Sequence, residues 1–239
     1  MGQDLDKHVA AYQGSAIYDF DNEVILPWYA SRIVALEDRA ESLLELGLGH
    51  GHTARVFSLR FKEHAILDGS PAVIENFKKH NPECRARIIQ SLFEEYEGRE
   101  EYDIVVLGFV LEHVDDPVFV IKRFMRNVRH GGRMYIAVPN AEALNRRLGH
   151  LAGMLPDIHR LSENDLLLGH RRYYTMQSLI ADITKAGCEI ERAEGIYLKP
   201  FTTEQILSLR LDRKVITALC ETGIQYPELC CGLMVNIRR

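Results

Sequence analysis

The chain has no CxxC pair, and its five cysteines, Cys84, Cys188, Cys220, Cys230 and Cys231, are an odd set without metal-knuckle spacing. A disulfide framework and a zinc-cluster fold are therefore not its organising devices, and the thiols read as reduced. Basic excess is lacking too. Against 34 Asp and Glu stand 29 Lys and Arg, a formal charge of −5 with pI near 6.1, which leaves no broad basic face for wrapping nucleic acid. No apolar run reaches the roughly 18 residues of a membrane span. The opening MGQDLDKHVAAYQ lacks the basic and then apolar pattern of a signal peptide. The expectation is a cytoplasmic protein with a small-molecule ligand, no nucleic acid and no membrane contact, acting as monomer or homodimer. Repeats and low-complexity stretches are also missing, so the 239 residues, 46% hydrophobic, are expected to fold as one main α/β domain.

What is present alternates. Apolar, β-rich runs stand at 42–46, 64–68, 86–90, 102–109, 133–139, 188–198 and 231–239. Between most of them lie stretches with apolar residues three and four apart: TARVFSLRF, PAVIENFKKH, PVFVIKRFMRNV and MQSLIADITKAG. This alternation, with seven strand-like runs, predicts a doubly wound, mostly parallel sheet with helices on both faces. Three segments fall outside it: an N-terminal helical stretch to about residue 40, expected to act as a lid, and helical additions at about 141–174 and 199–229.

In such a sheet the ligand sits beyond the carboxyl ends of the strands, where strand order reverses. The turn after the first strand reads Glu45-Leu46-Gly47-Leu48-Gly49-His50-Gly51. A dinucleotide fingerprint would place its third glycine three positions after Gly49, where His52 stands, which argues against NAD. His50 and His52 have no nearby Cys or carboxylate to complete a ligand set, so no metal is expected there.

The order E-x-G-x-G-x-G resembles motif I of the class I S-adenosylmethionine-dependent methyltransferases, and further matches follow in order. AILDGS carries Asp68, Gly69 and Ser70 at the end of the second strand; QSLFEEY carries Ser91, Leu92 and Phe93; YDIVVLGFVLEHVDDP carries Gly108 and Phe109; VRHGGRMYIAVPN resembles the helix end, glycine turn and fifth strand that follow. The resemblance implies a Rossmann-like sheet of seven strands, mostly parallel with an antiparallel last strand, S-adenosyl-L-methionine as cofactor and S-adenosyl-L-homocysteine as product. Glu45, Gly47, Gly49 and Gly51 would form the cofactor turn, and Asp68 would accept from the ribose hydroxyls. Ser91, Leu92 and Phe93 would lie against the adenine, with Gly108 and Phe109 at the methionine end. Tyr18 and Trp28 of the N-terminal helix would close over that end.

Within the family, VLEHVDDP, VPNAEALNRRLG and GHRRYYTMQSLIADITKAGCEIE are similar to enzymes that methylate small molecules such as quinone precursors, natural products and sugars. That likeness implies transfer to an oxygen or nitrogen. His170 and then His113 are the titratable candidates for a catalytic base. Asn140, Arg171, Arg172, Tyr173 and Tyr174 are the candidate substrate contacts. The ligand pattern of metal-dependent catechol-type enzymes is not visible, so no metal is implied. The alternatives are a protein or RNA methyltransferase, disfavoured by the acidic charge balance, and a non-catalytic cofactor-binding relative.

Overall fold

The computed structural model describes residues 16–239, with side chains from Asp19 onward. Strand β1 (Ser42–Leu46) is buried along its whole length, as a strand covered on both faces must be. It pairs in parallel with β2 (Glu63–Asp68) on one side and β4 (Tyr102–Gly108) on the other. Beyond these lie β3 (Arg87–Gln90) and β5 (Val128–Pro139), also parallel. β7 (Gly232–Arg238) runs antiparallel between β5 and β6 (Ile190–Ile196), so the order is β3-β2-β1-β4-β5-β7-β6. The expected sheet is present, and the chain reverses its order of strand addition between β1 and β4. A crevice opens at that point.

The helices start where sequence signals place them. α3 (Pro71–His80) and α4 (Pro117–Met125) each begin with proline behind a capping side chain: Ser70 Oγ accepts from the Val73 amide at 3.1 Å, and Asp116 Oδ1 from the Phe119 amide at 2.9 Å. α7 (Met176–Lys185) starts with a capping box between Thr175 and Ser178. α2 (His52–Arg60) differs. Its first turn has no side-chain cap and is entered through Gly51 in the left-handed region, φ 73°, so its leading amides are left for something outside the chain's own side chains.

α1 (Ala16–Leu36) lies on the sheet face that also carries α2, with Tyr29, Ala30 and Ile33 buried against Leu43, Phe57, Val106 and Tyr135. α4 and α7 cover the other face, where Phe124, Val120, Leu179 and Ile183 pack on Leu44, Leu46 and Ile136. The segment 141–174 holds α5 (Leu144–Leu151) and α6 (Glu163–Leu167); 199–229 holds α8 (Thr203–Ser208), α9 (Arg213–Gly223) and a short 3-10 turn at Pro227–Leu229.

One boundary differs from the sequence reading. Residues 128–132, expected to be a helix end and a glycine turn, belong to β5, because Val128 pairs with Tyr102 before a register shift carries the strand on to Arg133 opposite Ile104. Gly131 takes φ 83°, and a Cβ on Gly132 would stand 2.5 Å from the Asp103 carbonyl oxygen. The two glycines make a bulge inside a strand.

Candidate functional site

A cavity of about 510 Å³ lies over the carboxyl ends of β1, β2 and β4. It is built from the β1 turn outward. Glu45 sits on the sheet face that is otherwise apolar, 2% exposed. The Thr53 hydroxyl donates to its Oε1, and His64 Nε2 lies 3.1 Å from Oε2. His64 is held in turn by Ser58 Oγ, 3.0 Å from its Nδ1. A carboxylate with both oxygens engaged fixes the end of β1 to the start of α2 and keeps its own charge compensated in the interior.

The three glycines after it do different work. A Cβ on Gly51 would fall 2.7 Å from the Phe77 ring, so that glycine lets α3 approach the turn. A Cβ on Gly49, φ 47°, would meet no atom within 4 Å and would protrude into open space beside the cavity. That is the form of a cradle for a ligand that touches backbone.

Asp68 closes the cradle from β2. Its Oδ2 accepts from the Leu48 amide and its Oδ1 from the Ser70 amide, both at 2.8 Å. Burial raises its pKa above the ordinary carboxylate value, and the two amides partly offset this. Each oxygen keeps a further lone pair, and the carboxylate lines the cavity, as Gly69 and Ser70 do. Leu92 and Phe93 form the wall beyond β3. The fit to S-adenosylmethionine rests on these features: an open glycine turn, uncapped helix amides and a buried carboxylate on an adjoining strand.

At the other end of the cavity β4 stops at Gly108, where a Cβ would overlap the Tyr29 hydroxyl. Phe109 follows in the left-handed region, φ 57°, a conformation costing a non-glycine residue of order 1 kcal/mol or more. Its amide donates to the Ala137 carbonyl at 2.8 Å, and its ring meets Tyr29 edge-on at 5.7 Å. Burial holds the Tyr29 hydroxyl far above its usual pKa, so it remains a donor.

Beyond Phe109 lie Glu112, His113 and His170, all on the cavity wall. The Arg171 amide donates to the Glu112 carbonyl at 2.8 Å, and this backbone link brings His170 to Glu112. The His113 and His170 rings meet edge-to-face at 4.7 Å. Glu112 is 1% exposed, and its Oε2 has no hydrogen-bond partner. Burial pushes its pKa up to about 7, against the opposing pull of His170. His170 Nδ1 lies 3.1 Å from Asp165 Oδ1, within ion-pair range but off the line a hydrogen bond requires.

Of the residues the sequence nominated, Glu45, Gly47, Gly49, Gly51, Asp68, Leu92 and Phe93 border the cavity, as do Gly108, Phe109, His113 and His170. Gly69 and Ser70 border it too, and the others stand elsewhere. Ser91 gives its hydroxyl to the Leu92 carbonyl at 3.0 Å and is not on the cavity wall. Trp28 packs on the apolar core one position away from the residue that faces the site, Tyr29. The Tyr18 side chain lies outside the described residues.

The five candidate substrate contacts are engaged in structure. Asn140 binds the Glu228 and Cys230 carbonyls at 3.1 and 2.8 Å and accepts from the Glu142 amide. Arg171 pairs with Asp115, and Arg172 holds the Leu111 and Val114 carbonyls at 3.0 and 2.8 Å. Tyr173 donates to Asp165 at 2.6 Å and Tyr174 to Asp182 at 3.2 Å. These groups, expected to contact substrate, link Asn140 to the segment before β7, Arg171 and Arg172 to the loop after β4, Tyr173 to α6 and Tyr174 to α7.

Sequence reasoning passed over Glu112, Tyr29, Asn22 and Leu168, which the cavity also meets. Only Glu112 carried a signal, its place beside His113 in VLEHVDDP.

A methyltransferase-domain family model matches residues 23–193. The ubiquinone biosynthesis O-methyltransferase of Acinetobacter baumannii is 22% identical over 215 residues, covering 85% of this chain and 86% of the relative. The demethylmenaquinone methyltransferase of Alkalihalophilus pseudofirmus is 30% identical over 95 residues, 40% of this chain and 39% of its own. Among solved structures, the 1,6-didemethyltoxoflavin-N1-methyltransferase of Burkholderia thailandensis, with S-adenosylhomocysteine bound, superposes with TM-score 0.64 at 16% identity, covering 98% of this chain and 86% of that one. The Bradyrhizobium japonicum N-methyltransferase NodS, also with S-adenosylhomocysteine, gives 0.63 at 12% identity, covering 98% and 97%. With motif, cradle and family match in agreement, the chain belongs to the class I S-adenosylmethionine-dependent methyltransferases.

Proposed function

We propose that this methyltransferase acts on an oxygen of a small metabolite of the size of a quinone precursor, natural product or sugar. The observation that carries the reading is the cluster of buried Glu112 with half-buried His113 and His170 at the end of the cavity bordered by Phe109. The cofactor supplies an electrophilic methyl group on a sulfonium whose sulfur leaves as a neutral thioether. A hydroxyl acceptor must lose its proton as the new carbon–oxygen bond forms, and an amine acceptor attacks through a lone pair it already has. A titratable cluster is what the first case requires. Phe109 and Tyr29 exclude water and fix the acceptor's approach, which supplies most of the remaining rate. The cavity, about 510 Å³ and bordered by α1 and Leu168, suits a small acceptor, and the quinone-pathway O-methyltransferase among the relatives is consistent with oxygen.

In the N-terminal segment, whose first 15 residues lie outside the described ones, α1 then serves with the addition at 141–174 as the lid of one methyltransferase domain. The addition at 199–229 shapes the acceptor end or an oligomer contact. All five cysteines are free, and no helix of the described residues is long and apolar enough to cross a membrane, in keeping with an enzyme of the cytoplasm.

The test is methyl transfer to a panel of hydroxylated aromatics, sugars, amines, protein and RNA, with the methyl gain followed by mass spectrometry. Hydroxylated small molecules are expected to be methylated, and His170→Ala to lower turnover about a hundredfold with S-adenosylhomocysteine affinity preserved. Methylation confined to amines, protein or RNA overturns the reading.

A further inference from the structure

We propose that Glu112, His113 and His170 bind one divalent transition-metal ion, whose open coordination positions face the cavity and receive an acceptor carrying two neighbouring oxygens. The acceptor clause rests on the oxygen-directed reading above; the metal clause does not.

Each of the three residues brings one ligand atom to a common place, with all three atoms within 4.8 Å of one another. The sequence reading expected no metal, because His50 and His52 lack a completing ligand and the ligand pattern of catechol-type enzymes is not visible. The set assembles instead from a Glu-His pair after β4 and a histidine that the 141–174 segment returns to it.

The polar accounting around the cluster is incomplete. Among the described residues six buried side-chain nitrogen or oxygen atoms lack a hydrogen-bond partner, and two of them, Glu112 Oε2 and His170 Nδ1, belong to this cluster. A buried acceptor left without a partner is costly, so Glu112 Oε2 in the cavity wall points to a missing cationic partner, whereas His170 Nδ1 is turned to Asp165 at 3.1 Å. Glu112 is also almost wholly removed from solvent, at 1% exposure.

The surroundings match a metal site in a second respect. Histidines that ligate metals are commonly oriented by a carboxylate behind the ring. Asp165 stands 3.1 Å from His170 Nδ1, and leaves Nε2 as the nitrogen for an ion. Asp165 is fixed by the Ser162 hydroxyl and by Tyr173, and the Tyr173 ring is covered by the Arg146 guanidinium at 4.3 Å. This chain of supports gives Tyr173 and Arg146 a reason to be where they are.

The donor set selects the metal. Two imidazoles and one carboxylate, without a thiolate, suit zinc, manganese, iron(II) or cobalt(II) better than calcium or magnesium, which favour all-oxygen shells. Three protein ligands leave one position open on four-coordinate zinc, two when it expands to five, and three on a six-coordinate ion. Those positions face the cavity, where two adjacent oxygens of one acceptor fit them, and an oxygen held there loses its proton to solvent more readily.

The experiment is a calorimetric titration of the chelator-stripped full chain with zinc chloride, paired with cobalt(II) absorption in the visible. One ion per chain is expected, with affinity lowered at least tenfold to a hundredfold by Glu112→Gln and by His170→Ala, and unchanged by the exposed His159→Gln. Should Glu112→Gln not fold, His113→Asn carries the same comparison. Absence of wild-type binding, or equal affinity in the ligand variants, overturns the metal site, while methyl transfer persisting in chelator would leave the proposed function standing. For the acceptor, 1,2-dihydroxybenzene is expected to bind the zinc-loaded protein more tightly than the stripped protein, and 1,3-dihydroxybenzene not to. Equal behaviour of the two isomers overturns the acceptor clause.

Discussion

Asp68 accepts the Leu48 amide at 2.8 Å, so the end of β2 and the glycine turn after β1 are held by one carboxylate. The same carboxylate lines the cavity, and its position therefore couples the shape of the turn to the proposed contact with the ribose. Asp68→Ala removes both the hydrogen bonds offered to the cofactor and the strut under the turn. S-adenosylhomocysteine affinity is expected to fall at least tenfold to a hundredfold, about 1.5–3 kcal/mol for charged hydrogen bonds lost. Gly49→Val, which puts a branched side chain at φ 47° into the open cradle, is expected to do the same. Calorimetry on folded variants checks both, and affinity unchanged in either removes that residue from the site.

The raised pKa of Asp68 sets a pH dependence with two opposite signs. Burial favours its protonated form in the folded chain. Between the unfolded and folded pKa values the native state binds more protons, so this group contributes less stability as pH rises through that window. Cofactor binding runs the other way, because the ionised carboxylate is the better acceptor for two hydroxyls. S-adenosylhomocysteine affinity is expected to decline on acidification before ordinary carboxylates titrate, while the fold is retained. Asp68→Asn should flatten that portion of the profile. An affinity profile identical in wild type and Asp68→Asn would assign the titration to another group.

Closure over the cofactor is expected to involve α1 and the 141–174 segment. Asn22, Ile25, Leu26 and Tyr29 of α1, and Leu168 and His170 of the addition, border the cavity, whereas the nearer faces of β1 and β4 are already buried. Hydrogen exchange should show added protection in both segments when S-adenosylhomocysteine binds, with little change in α9. Equal exchange with and without ligand would show that they do not act as a lid.

The sheet was legible because its signals are local. β1 and α3 match the expected runs end to end, and the acidic residue, glycine turn and Asp68 stand at fixed spacing along contiguous strands. What failed was decided by contacts distant in sequence. Trp28 and Tyr29 are adjacent on α1, and only the helix's docking on Gly108 and Phe109 determines which of them faces the site. Arg171 and Arg172 have the composition of an anion site, yet their partners are Asp115 and the loop carbonyls after β4. Glu112 reads as a solvated charge until the fold buries it beneath His170. Residues 128–132 show the same limit at the level of a strand, since a bulge opposite Tyr102 and Ile104 leaves no periodicity to read.

The close fit of Tyr29 to Gly108 offers a test of how α1 is positioned. A Cβ on residue 108 would overlap the Tyr29 hydroxyl and stand 2.9 Å from the ring carbon that bears it. Gly108→Ala is therefore expected to push Tyr29 away and loosen α1 over the methionine end, with an overpacking cost of about 1–3 kcal/mol. Tyr29→Phe removes the overlapping oxygen but leaves the ring, so it should relieve part of that cost and cannot relieve all of it. In the double variant the two effects are predicted to be non-additive by at least about 0.5 kcal/mol, as for residues in direct contact. Denaturant unfolding of the four proteins measures the coupling for stability, and titration with S-adenosylhomocysteine measures it for binding. Coupling in both would place Tyr29 as the contact through which α1 senses the end of β4. Strict additivity in both would mean that the two residues do not touch in solution, and that another part of α1 holds it over the cavity.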